Sequence, residues 1–172
     1  MPTSRFVVVS FTLWLWYGLE AFGGAPALEE TCRDRENLQV ITRYESSRRP
    51  FAVAVQLPPK EVRKGESPYV IYVNSEIYFL GWETQQWLYL RQCAYIFHGR
   101  LAGEEGVRDV DIRDEENADC WAVRKMSQTK SFSSRTLYAI ERDIERVIIK
   151  EQRWPQVLPG PGRRISLSMC LK

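Results

Sequence analysis

Apolar residues in this chain first run unbroken, then alternate, and later recur at helical spacing. The unbroken run is Phe6 to Tyr17 (FVVVSFTLWLWY), 12 residues preceded by Arg5 and closed by Gly18 and Glu20. Small residues follow at Gly23, Gly24, Ala25 and Ala27, which is the order of a secretory signal peptide. A helix crossing hydrocarbon needs roughly 20 apolar residues, so the run is too short for a permanent anchor. Ala25 and Ala27 form an AxA-like site, giving a leader over 1–27 and a mature chain over 28–172. About 145 residues suit a single domain with a proper core.

Within the mature part, Leu38 to Tyr44, Phe51 to Leu57 and Tyr69 to Val73 alternate or run apolar with β-branched residues, and they predict three strands. Pro58-Pro59, the charged stretch Lys60 to Glu66 and Ser67-Pro68 punctuate them. From Thr84 to about Arg100 the pattern turns helical, with Trp87, Leu88, Ala94, Tyr95 and His98 recurring on one side. Gly103 to Arg113 reads as a polar loop, after which Asp114 is placed to cap a second helix reaching about Met126. A third helix starts at Ser133 or Ser134, carries the stripe Leu137, Ile140, Ile144, Val147 and Ile148, and ends before Pro155. These elements predict an α+β fold: a small antiparallel or mixed sheet followed by three helices.

Charge changes little in this picture. The chain holds 24 Lys+Arg against 22 Asp+Glu, and removing the leader takes away Arg5 and Glu20, so the formal charge stays at +2. The basic pairs Arg48, Arg49 and Arg163, Arg164 lack interleaved aromatics and read as solvated surface, so no nucleic-acid partner is expected. The aromatics Trp82, Trp87, Tyr89, Phe97 and Trp121 read as core packing, with a stacking surface for sugars or peptides as the alternative.

All four cysteines, Cys32, Cys93, Cys120 and Cys170, follow the leader, and an even count behind an export signal predicts two disulfides in a secreted or periplasmic protein. No CxxC pair is present to favour a thiolate metal site. Four cysteines allow three connectivities, and spacing alone selects none.

At the first two helices the chain resembles a family. Arg91-Gln92-Cys93-Ala94-Tyr95 stands where exported, zincin-like metallopeptidases carry a His-Glu-Cys-Gly/Ala-His form of HExxH, and Glu115-Glu116-Asn117-Ala118-Asp119-Cys120-Trp121-Ala122 resembles their ExxADCWA segment. Tyr69-Val70-Ile71-Tyr72-Val73-Asn74 is similar to the strand before the helix, and Leu158-Pro159-Gly160-Pro161 with Arg163 and Cys170 is similar to their ending. The resemblance implies a zincin-like, disulfide-stabilised domain. Because Cys93 and Cys120 sit beside the two motif halves, it also favours Cys93–Cys120, leaving Cys32 with Cys170.

The chemistry of HExxH needs two neutral imidazoles at i and i+4 and a Glu beside them as general base. Arg91 has no lone pair to give a metal, Tyr95 offers at best a phenolate, and the Gln92 amide cannot take a proton from water. The chain is therefore expected to be a degenerate member with no catalytic residues; its former site positions are Arg91, Gln92, Tyr95, Glu115 and Asp119. A metal site would have to use His98, the single histidine, with Glu115 and Asp119. Without zinc, the Arg91 guanidinium is expected to pair with Glu115 and Asp119 while the Tyr95 hydroxyl donates a further hydrogen bond; the alternative leaves both carboxylates on a solvated helix end.

Three functional classes follow: a non-catalytic exported protein binding an unknown protein or peptide, a zinc metallopeptidase with non-standard ligands, and a structural envelope component. The first is the expectation, with no cofactor and no stable membrane anchor once the leader is cut.

Overall fold

The computed structural model describes residues 32–46, 50–101, 112–150 and 165–172, the side chains of 148–150 excepted. The leader, the two basic pairs, the 103–111 part of the expected loop, and the tail from Trp154 as far as 164 lie outside those residues. The fold is α+β, with a three-stranded mixed sheet, three helices and two disulfides.

Strands β1 (Ile41–Glu45), β2 (Ala52–Gln56) and β3 (Tyr69–Asn74) form one sheet in the order β1-β3-β2. The central strand runs parallel to β1 and antiparallel to β2, so the sheet is mixed. Its near-continuous apolar sequence, YVIYVN, matches burial on both faces. One face carries Ala52, Ala54, Ile71 and Val73 into the main core, and the other packs Val53, Val55, Leu57 and Val70 with Val62. Predicted strand one begins later than expected: Leu38 N closes a turn in which Asp34 Oδ1 accepts from Glu36 N and Leu38 N, at 3.0 and 2.9 Å, and Gln39 forms an isolated antiparallel bridge with Arg33.

The long helix α1 (Trp82–His98) lies over the Ala52/Ala54 face. It starts two residues before the expected Thr84, because its cap comes from elsewhere. Gly81 has no side chain to cap with, and instead Asp143 Oδ2 accepts from Gly81 N at 2.7 Å and from Thr84 Oγ1 at 3.0 Å. A Cβ at Gly81 would stand 3.0 Å from that carboxylate oxygen, so glycine permits the approach. The helix ends at Gly99 in the left-handed region (φ 65°), with Arg100 N donating to Tyr95 O.

Helix α2 (Ile112–Ser127) also starts early: Asp114 lies within its first turn and pairs with Arg100 at 3.0 Å, so it is no cap and Ile112 and Arg113 are not loop. Helix α3 (Ser134–Asp143) has Ser133 as its cap in a reciprocal box with Thr136, and continues as a π-helical stretch, Ile144–Lys150. Leu137, Ile140, Ile144 and Val147 of the expected stripe are buried, while the side chain of Ile148 is outside the described set. A 3-10 turn, Leu167–Leu171, packs on α2.

The disulfides are Cys32–Cys93 and Cys120–Cys170, which corrects the pairing expected from the motif positions. At about 100° per residue, Cys93 is turned about 200° from Arg91 and so points away from α2, toward the segment leading into β1. Cys120 is about 100° round from Asp119 and meets the C-terminal turn instead.

Candidate functional site

The facing turns of α1 and α2 bring Arg91 and Tyr95, four residues apart, against Glu115 and Asp119, also four apart. Arg91 Nε donates to Asp119 Oδ1 at 2.8 Å, and its Nη2 donates to Glu115 Oε2. The Tyr95 hydroxyl donates to Glu115 Oε1 at 3.0 Å. Arg91, Gln92 and Glu115 are 0% exposed, Tyr95 1% and Asp119 2%. Of the two arrangements open from sequence, the buried ion pair is the one found, and the solvated helix end is not.

Aromatic rings flank the cation. Arg91 Cζ lies 5.9 Å from the Trp87 ring centroid and 5.2 Å from that of Tyr95. Residues 87, 91 and 95 thus stack on successive turns, and the guanidinium exchanges water for two carboxylates and two π faces. Burial alone would lower the Arg91 pKa, but Tyr95, Asp119 and Glu115 outweigh it and hold it above the usual value. Burial raises the Tyr95 phenol, Arg91 opposes, and Glu115 and Asp119 add to the rise, so Tyr95 stays protonated and donates.

Gln92, which the sequence resemblance sets at a general-base position, serves the sheet. Its Oε1 accepts from Ala54 N at 3.1 Å. Phe51 O and Leu57 N, just outside the ends of β2, bond to Asn74 N and Pro68 O, so in this antiparallel register the amides of 52, 54 and 56 point to the outer edge, and Gln92 covers that edge at Ala54. Sequence reasoning missed this contact because nothing in either segment signals the other; the small side chains Ala52 and Ala54, which admit a close helix, are the one hint. Among the described residues, Arg91 Nη1, Gln92 Nε2 and Trp87 Nε1 are buried nitrogens with no hydrogen-bond partner.

These residues do not fit a zinc ion. Arg91 has no lone pair to offer, Tyr95 is held as the phenol, and the guanidinium stands against both carboxylates. The alternative set is not assembled either. His98 is the exposed last residue of α1, while Glu115 and Asp119 face Arg91, and among the described residues no three His, Cys, Asp or Glu side chains are grouped to hold a metal. His98 instead lines a pocket of about 100 Å³ with Tyr95, Arg100, Asp114, Asn117 and Ala118.

The aromatics divide. Trp87 and Tyr89 are core, Trp82 and Trp121 are partly buried, and Phe97 is exposed. Phe97 packs on Trp121 at 6.0 Å between ring centroids and edge-on to His98 at 5.6 Å.

No family model, curated protein or solved structure matches this chain. Among the described residues no helix is long and apolar enough to cross a membrane, and the two disulfides fit an oxidising compartment.

Proposed function

We propose that the chain is an exported, catalytically silent relative of the zincin-like HExxH/ExxAD metallopeptidases, acting by binding a protein or peptide partner. The carrying observation is that Arg91 pairs with Glu115 and Asp119 across two helices, Arg91 and Glu115 standing where the resemblance puts metal ligands. In this reading the guanidinium supplies the positive charge that zinc supplies in an active relative. The absence of an acceptor at Arg91 and of a general base at Gln92 supports the silent reading.

Partner binding at the centre itself is disfavoured, because Gln92 and Glu115 are sealed from solvent; the cluster reaches surface pockets at its Tyr95 and Asp119 ends. The exposed Phe97 and His98 beside the Tyr95 pocket are the surface assigned to the partner. The sealing also favours a second reading, a structural envelope component, which requires no open groove.

The test is restoration. The triple variant Arg91→His, Gln92→Glu, Tyr95→His should bind about one equivalent of zinc, through the two imidazoles and Glu115, and lose it on adding Glu115→Gln. A folded triple variant that binds no zinc overturns the metallopeptidase ancestry, and about one equivalent of zinc in the native chain overturns its silence.

A further inference from the structure

We propose that Cys120–Cys170 is a reducible strap, a site at which a dithiol reductant acts while Cys32–Cys93 stays intact. It uses only the surroundings of the two bridges and stands independently of the metallopeptidase reading.

Those surroundings differ. Cys32 and Cys93 are 0% and 1% exposed and belong to the main apolar core. Cys170 is 5% exposed in the same core, but its partner Cys120 is only half-buried, and the two line a cavity of about 250 Å³ between α2 and the C-terminal turn. The exposed residues Glu116 and Met169 line the same cavity, so it communicates with solvent. Thiol–disulfide exchange needs a thiolate to reach one sulfur, and the cavity brings solvent to the Cys120 side of the bridge. Reaching Cys32–Cys93 requires the core to open first.

The exchange balances as follows. A thiolate of the reductant bonds to Cys120 Sγ as the Cys120–Cys170 bond breaks, and Cys170 leaves as a thiolate that takes a proton. The reductant's second thiolate then attacks its own sulfur in the mixed disulfide and expels Cys120, which takes the second proton. Two electrons have passed to the protein, and the dithiol departs as a disulfide.

Among the described residues, the turn is otherwise held by packing on α2 and by a few polar contacts. Leu167 is buried, its amide donates to Glu141 Oε1 at 2.7 Å, and Arg124 Nε reaches Cys170 O at 3.4 Å. Five of the cavity's lining residues, Ile165 to Leu167, Met169 and Cys170, come from this segment. Breaking the bridge therefore removes the covalent tie between α2 and the turn and loosens the wall beside Asp119, which pairs with Arg91.

The native full chain is treated with graded dithiothreitol, trapped with iodoacetamide at intervals, and mapped by mass spectrometry. Cys120 and Cys170 should label at least about ten times faster than Cys32 and Cys93. Amide exchange over 165–172 should rise in the species with only that bridge broken. Equal labelling at all four cysteines, or earlier labelling of Cys32 and Cys93, overturns the proposal, as does selective reduction that leaves exchange over 165–172 unchanged.

Discussion

Arg91 and Asp119 meet across α1 and α2 with Nε 2.8 Å from Oδ1, both closed to solvent, and Glu115 completes the pair from one turn earlier. Such a pair adds little over a well-packed apolar contact, yet breaking it is costly because the remaining charges stay buried. Arg91→Ala should therefore lower stability by about 3–5 kcal/mol in thermal or denaturant unfolding. Adding Glu115→Gln should recover part of that loss, since one buried carboxylate then becomes neutral. Strictly additive effects in this double-mutant cycle would show that the two side chains are not coupled.

The Tyr95 phenol gives the cluster a pH signature. Its folded pKa is raised, by burial first and then by Glu115 and Asp119 against the opposing pull of Arg91. The unfolded chain loses the Tyr95 proton near pH ~10, while the folded chain keeps it to higher pH. This contribution is thus fully present below about pH 10 and is lost as pH rises from there through the folded value. Unfolding measured across the alkaline range should show stability falling from about pH 10 upward, with a shallower fall in Tyr95→Phe. An identical slope in the variant would remove Tyr95 as the source.

How far the site was legible in the sequence varies by residue. The pairing of Arg91 with Glu115 and Asp119 was one of two arrangements open in the sequence, reached through the resemblance that sets the two helices together; Glu115 and Asp119, one turn apart, then offer two carboxylates to one guanidinium. The strands were legible as β-branched runs. The true start of α1 was not, since its cap is a carboxylate 62 residues away rather than a local Ser, Thr or Asp. Disulfide pairing depended on which way Cys93 turns relative to the segment carrying Cys32, a tertiary fact that motif proximity pointed away from.

Gln92 shows the same limit and yields a third prediction. Its Oε1 is the acceptor for the buried Ala54 amide at 3.1 Å, so Gln92 secures the edge of β2. Gln92→Leu should leave that amide unsatisfied and cost about 1–3 kcal/mol, with faster hydrogen exchange at Ala54. Gln92→Glu retains an acceptor oxygen and should keep Ala54 protected even where burial of its charge lowers overall stability. Equal exchange at Ala54 in both variants would show that the contact does not hold the edge.

Asp143 does for α1 what Gln92 does for β2, and it does so from the far end of α3. Its Oδ2 accepts from Gly81 N and Thr84 Oγ1, while Arg146 approaches its Oδ1 at 3.4 Å. The first turn of any helix leaves backbone amides without intrahelical partners, and a carboxylate there also suits the positive end of the helix dipole. Asp143→Ala removes both effects together and should cost about 1–2 kcal/mol. Asp143→Asn keeps an oxygen acceptor but not the charge, so it should recover the hydrogen bonds and lose only the electrostatic part, about 0.3–1 kcal/mol. Hydrogen exchange at Gly81 locates the effect: protection should drop in the alanine variant and persist in the asparagine one. Because α1 also carries Arg91 and Tyr95, an alanine variant that frays at Gly81 yet leaves the alkaline unfolding profile unchanged would show that the cap and the buried cluster are energetically separate.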